Sequence, residues 1–195
     1  IGQIPADATP TDIALAVTKI LREKGVVGRF VEFFGPGLDH LSLADRAPIA
    51  NMSPEYGATM GFFPIDQATI DYLKTTGRTD EQVEMVEKYC KEQGLFRDPN
   101  ATTEYDDVVE LDLSTIKPSV AGPRRPQDRV FVEDLGKEFS ESLPLPISEG
   151  GFNVPADELE KTVEAGEYGT LTHGSIVIAS ITSCTNTSNP TLLLG

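Results

Sequence analysis

The sequence predicts an α/β protein, and three observations predict it. Residues 11–25 form a helical period closed by a glycine, and a β-branched, aromatic strand pattern follows at once over 26–34, an order that sets helices against a sheet. Ile176, Val177, Ile178, Ala179 and Ile181 make a short apolar run suited to a strand covered on both faces. That run turns abruptly into hydroxyl and amide residues around Cys184, with Pro190 where a following helix begins. A cysteine at the carboxyl end of a buried strand lies where α/β sheets build their sites.

The first helix takes Thr11 or Asp12 as its cap, buries a stripe through Ile13, Val17, Ile20 and Leu21, and stops at Gly25. After the 26–34 strand, Gly35-Pro36-Gly37 makes a turn. Residues 41–50 are helical with Ser42 as cap, and Pro48 inside them is expected to kink the helix, because its ring removes a hydrogen bond. Ser53, Pro54 and Glu55 read as an N-cap, a first-turn proline and a first-turn carboxylate, so Asn51 to Ser53 fall at a junction between two short helices.

Residues 60–64 suit a short buried strand; 66–75 and 79–93 suit helices, the second with Val83, Val86 and Tyr89 or Cys90 on one face and Gly94 as terminator. Over 105–113, valines and leucines interleave with acids, an extended pattern with one wet face. The 97–103 stretch before it reads as a linker, which divides the chain into units 1–104 and 105–195, the second incomplete. Residues 117–128 hold too many prolines for regular structure, and 128–139 suit a turn and a short helix. A mobile loop is expected over 140–155, and strands over 167–173 and 174–182.

With 31 acidic against 16 basic residues, the formal charge of −15 repels nucleic-acid phosphate and gives no footprint for DNA or RNA. No long apolar span or basic, apolar leader is present, so a cytoplasmic address away from membranes is the default expectation. Cys90 and Cys184 sit in unlike contexts and are read as reduced thiols. The chain opens on Ile1 and ends five residues after Pro190, and is read as a piece of something longer. Gly35-Pro36-Gly37 lacks the lysine and hydroxyl of a phosphate cradle, and Arg124-Arg125, between prolines, is read as a salt-bridging loop without a substrate role. His40 and His173 sit in no nucleophile motif with Cys184.

Three stretches carry a family resemblance: SCTNTSNP at 183–190, RFVEFFGPG at 29–37, and LSLADRA at 41–47 running into IANMSPEYGAT at 49–59. Together they resemble the aconitase family, in the version typical of its A-type members, and the likeness is loosest over 99–169. Pro48 and Ser53 depart from the family's usual residues. The resemblance implies three-layer α/β/α units and aconitate hydratase chemistry, the isomerisation of citrate and isocitrate through cis-aconitate at a [4Fe-4S] cluster. It implies that Cys184 is the first of three cluster cysteines, the other two forming a C-x-x-C beyond Gly195.

In that family the position matching Asn51 contacts the cluster, and the one matching Glu55 hydrogen-bonds the water or hydroxyl on the substrate-binding iron. The partner implied is a small tricarboxylate, acted on by a monomer. The 2-methylisocitrate dehydratases share these motifs, and some A-type members bind RNA hairpins without their cluster, a role that −15 disfavours for this chain. The chain alone is expected to hold no cluster and turn over no citrate, since one thiolate cannot anchor it.

Overall fold

The core is built on one helix. In the computed structural model, which describes residues 1–180 and 189–194, α1 spans Pro10–Lys24 and buries Ile13, Ala14, Ala16, Val17 and Leu21. Burial of each large aliphatic side chain contributes roughly 1.5–3 kcal/mol. The cap lies at Thr9, two residues before the earliest expected position, because Pro10 can occupy the first helical position. The N–H and hydroxyl of Thr9 both donate to Asp12 Oδ2, at 2.7 and 2.8 Å. Gly25 ends the helix at φ 78°, its N–H donating to the Leu21 carbonyl.

Helices α2, Leu43–Asn51, and α3, Ser53–Tyr56, pack across α1. They join strand β1, Phe30–Glu32, to the parallel strand β2, Met60–Phe62, as a parallel pair requires a crossover. Residues 26–34 therefore yield only three strand residues. The expected buried strand over 60–64 has Met60 and Phe62 exposed, since this two-stranded sheet is covered incompletely among the described residues. Helix α2 continues through Pro48 to Asn51. Helices α4, Gln67–Thr75, and α5, Asp80–Glu92, pack on each other; α5 buries Val83 and Cys90, and leaves Tyr89 exposed.

Beyond residue 104 several expectations change. Residues 105–111 form no strand, and Val108 and Val109 are exposed. Leu113 and Ile116 instead enter the core beside α1, so apolar anchors at the end of the segment fix it rather than a ladder. The proline-rich 117–128 stretch contains strand β3, Ser119–Ala121, antiparallel to β4, Arg129–Phe131; Pro118 and Pro123 flank β3 without interrupting it. The N–H of Ser119 donates to the buried Asp12 carboxylate at 2.6 Å and pins this hairpin to the start of α1.

Helix α6 runs Leu135–Ser142, and the loop after it is tied back by bonds from the N–H groups of Phe152, Asn153 and Val154 to the carbonyls of Ser142, Leu145 and Leu143. Strands β5, Val163–Glu164, and β6, Thr170–Leu171, form a two-rung ladder. Of the strand expected over 174–182, residues 174–180 form none, with Ile176, Val177 and Ile178 exposed, and Ile181 and Thr182 lie outside the described residues. The described residues offer no strand beside them, and a run of this composition needs neighbours to be covered. Pro190 does begin helix α7, Pro190–Leu194. No strand pairing among the described residues joins residues 1–104 to 105–195.

Candidate functional site

Asn51 is the last residue of α2, and Glu55 lies in the first turn of α3. One residue, Met52, separates the helices: at φ −83° and ψ 15° it closes α2 and opens α3. Its carbonyl accepts the N–H of Tyr56 at 3.1 Å, so Ser53 is already helical and is not the cap expected from sequence. A cap needs extended backbone, and two helices sharing one residue leave no room for it.

Asn51 is exposed and Glu55 half-buried. The Glu55 Oε2 atom is buried and, among the described residues, has no hydrogen-bond partner. An orphaned buried carboxylate oxygen is costly, and it marks a place where a donor from elsewhere would be held. Beside it, Tyr56 is wholly buried, and its hydroxyl also lacks a partner among the described residues. Burial first, and then the charge of Glu55, push the Tyr56 hydroxyl up to about 12.

The Tyr56 hydroxyl rests on the bare Cα of Gly61 in β2: a β-carbon there would overlap that oxygen and meet Cζ at 3.2 Å. Glycine in a strand commonly marks such a close approach. Gly61→Ala is expected to cost about 1–3 kcal/mol, an overpacking strain in a site that cannot yield, and Tyr56→Phe should restore most of it. Denaturant titration of the two single variants and the double one checks this; losses that add would refute the contact. Tyr56→Phe alone should also flatten the alkaline limb, because an acid with a raised folded pKa stabilises fully below its ordinary value near 10 and loses that contribution as pH rises towards 12.

Two constellations escaped the sequence. Arg46, on α2, is buried and forms a bidentate pair with Asp66, the cap of α4, at 3.0 and 2.8 Å. Asp45, one residue earlier, accepts a 2.6 Å hydrogen bond from the side-chain amide of Asn189. Ser42 and Asp45 form a capping pair at the start of α2, but nothing local signals a partner 144 residues away. Cys184 lies outside the described residues. Among those described, no cluster of three or more His, Cys, Asp or Glu side chains is arranged to hold a metal ion, and no helix is long and apolar enough to cross a membrane.

The arginine expectation is corrected in part. Among the described residues Arg124 and Arg125 form no side-chain ion pair; Arg124 Nη2 reaches the Gly151 carbonyl at 3.5 Å, and Arg125 donates its backbone N–H to Asp128. The prolines and the Asp128 turn hold both beside Met52, in a shallow cleft of about 370 Å³. Arg29 makes a long, exposed pair with Asp106, at 3.6 Å, and the His173 ring contacts the Glu158 carbonyl.

Comparison with known proteins adds an independent line. The model of the aconitase family (aconitate hydratase) matches residues 1–195. The chain is similar to aconitate hydratase A of Thermus thermophilus, 55% identical over 199 residues, covering 100% of this chain and 22% of that protein. The counterpart from Deinococcus radiodurans is 53% identical over 197 residues, 99% of this chain and 22% of its own length. That from Staphylococcus epidermidis is 51% identical over 197 residues, 98% and 22% respectively. The chain therefore spans about a fifth of the length of these relatives.

Proposed function

The chain belongs to the aconitase family, and from that membership we propose that it is part of an aconitate hydratase, a hydro-lyase interconverting citrate and isocitrate through cis-aconitate. The observation that carries the reading within the structure is the Glu55 Oε2 atom, buried and orphaned among the described residues, at the α2–α3 junction four positions after exposed Asn51. These residues fit the surroundings of a [4Fe-4S] cluster: an acceptor lacking a donor among the described residues, an exposed amide, and one thiol, Cys184, in the matching motif.

When bound, the cluster supplies a Lewis acid that weakens the bond to the departing hydroxyl. The chain's own residues do the rest of what falls to this segment. Glu55 holds and releases a proton at Oε2, its half-burial keeping competing water away. Asn51 orients the group it faces through its amide, and Cys184 contributes one thiolate ligand. Units 1–104 and 105–195 would contribute to two three-layer α/β/α assemblies of the parent protein, which works as a monomer on a tricarboxylate.

Iron and sulfide analysis of the full-length protein, followed by turnover with citrate and with 2-methylcitrate, tests this reading. Stoichiometric iron and sulfide with preference for citrate is the expected result; preference for 2-methylcitrate would reassign the substrate, and no iron would remove the reading. Residues 1–195 alone are expected to assemble no stable cluster under anaerobic reconstitution and to form no cis-aconitate, because Cys184 is one of three thiolates the cluster takes in this family. A stable cluster absorbance at stoichiometric iron in that chain would overturn the ligand assignment.

A further inference from the structure

We propose that the Asp45–Asn189 hydrogen bond is a positioning joint, holding the end of the Cys184-bearing segment against the helix that carries Asn51. The inference rests on the reading of Cys184 and Asn51 as facing one prosthetic group. Its physical basis is a pair of side chains hydrogen-bonded at every polar atom. Asn189 is 8% exposed; its amide nitrogen donates to Asp45 Oδ1 at 2.6 Å, and its amide oxygen accepts the N–H of Thr191 at 3.0 Å. Asp45 Oδ2 accepts from the N–H and hydroxyl of Ser42, at 2.8 and 2.7 Å.

One carboxylate thus caps the start of α2 and grips the start of α7 together. A hydrogen bond to an ionised acceptor is shorter and stronger than a neutral one. The lever arms are short. Asp45 and Asn51 are six positions apart on α2, about 9 Å of helix rise, and Asn189 is five positions from Cys184 in sequence, at most about 17 Å of chain. Helix α2 is itself immobilised by the Arg46–Asp66 pair one residue along. Asn189, where the Cys184 motif ends, is therefore held relative to α2 and its Asn51 before any prosthetic group arrives, and pre-organisation of that kind lowers the entropy lost on binding.

Asn189→Asp would set two carboxylates against each other, while keeping the acceptor for Thr191. Adding Asp45→Asn exchanges donor and acceptor, restoring the bond and leaving an oxygen for Ser42. The measurement is iodoacetamide alkylation of the full-length apoprotein, resolved peptide by peptide, with the buried Cys90 as reporter of general opening. Loss of a charge-assisted bond of about 1.5–3 kcal/mol predicts Cys184 labelling faster by roughly tenfold or more in Asn189→Asp, near the parent rate in the exchanged pair, and unchanged at Cys90.

Unchanged Cys184 labelling in Asn189→Asp, no recovery in the exchange, or Cys90 rising in step would each overturn the proposal. Should Asn189→Asp not fold, Asn189→Ser retains an oxygen for Thr191 but is too short to reach Asp45, and the same criteria apply. Iron and sulfide uptake by the unsubstituted protein separates the two claims. Failure there removes the functional reading, whereas uptake with unchanged labelling removes the joint alone.

Discussion

Glu55→Gln in the full-length protein is expected to lower kcat by about 10²–10⁴-fold with little change in KM, the range typical of a positioned proton-transfer group. The substitution is nearly isosteric. It keeps the side chain at the first turn of α3, but places an amide that cannot take up a proton where Oε2 now waits without a donor. Because that oxygen is buried and unpartnered among the described residues, neutralising it should leave stability equal or slightly higher. A second readout follows from its neighbour: the Glu55 charge helps to raise the Tyr56 pKa, so the tyrosine should ionise at lower pH in Glu55→Gln. Parallel losses of kcat and thermal stability would make Glu55 a structural residue and sink its proposed role; full activity would do the same.

The helices were legible in the sequence because their signals are local. Ser42, Asp66 and Thr79 each cap the helix that follows, and Gly25 and Gly94 adopt the positive φ that ends one. The strands were not, because three-residue strands are defined by what lies beside them. Phe30 pairs with Met60 only after α2 and α3 fold between them, and β3 exists within a proline-rich stretch because β4 supplies its partner. Alternation over 105–113 misled for the same reason: acids and valines patterned for one wet face found no edge to join, and Leu113 and Ile116 fixed the segment by burial.

The junction carrying Asn51 and Glu55 was visible through Pro54, a first-turn signal, although the shared cap Met52 was not. The pairings that brace the junction were invisible. Asp45 and Asn189 are 144 positions apart, and Arg46 and Asp66 look, in an acidic chain, like ordinary surface charges. Charge in a sequence carries no label for burial, so the residues most committed to holding the site in place resemble those least committed to anything.

Of those pairings Arg46–Asp66 should have the largest effect on stability. The Arg46 side chain is 5% exposed, and each of its three nitrogens donates: Nη1 and Nη2 grip Asp66, Nη2 also donates to the Leu38 carbonyl at 2.8 Å, and Nε donates to the Leu41 carbonyl at 3.0 Å. Asp66 in turn accepts the N–H of Ala68 at 3.0 Å and has Arg97 at 3.7 Å. Arg46→Met fills most of the volume but abandons two carbonyls and a buried carboxylate, and removing one partner of such a pair costs about 3–5 kcal/mol. Asp66→Asn should cost a comparable amount by stranding the guanidinium. The double variant should fall well short of the sum, since the second change removes a charge the first has already orphaned. Glu84→Gln, which breaks the exposed Glu84–Lys88 pair on α5, is the control and should shift nothing measurable. Urea midpoints at constant slope give all four values. A loss under about 1 kcal/mol for Arg46→Met, or strictly additive single losses, would show that the pair does not brace α2.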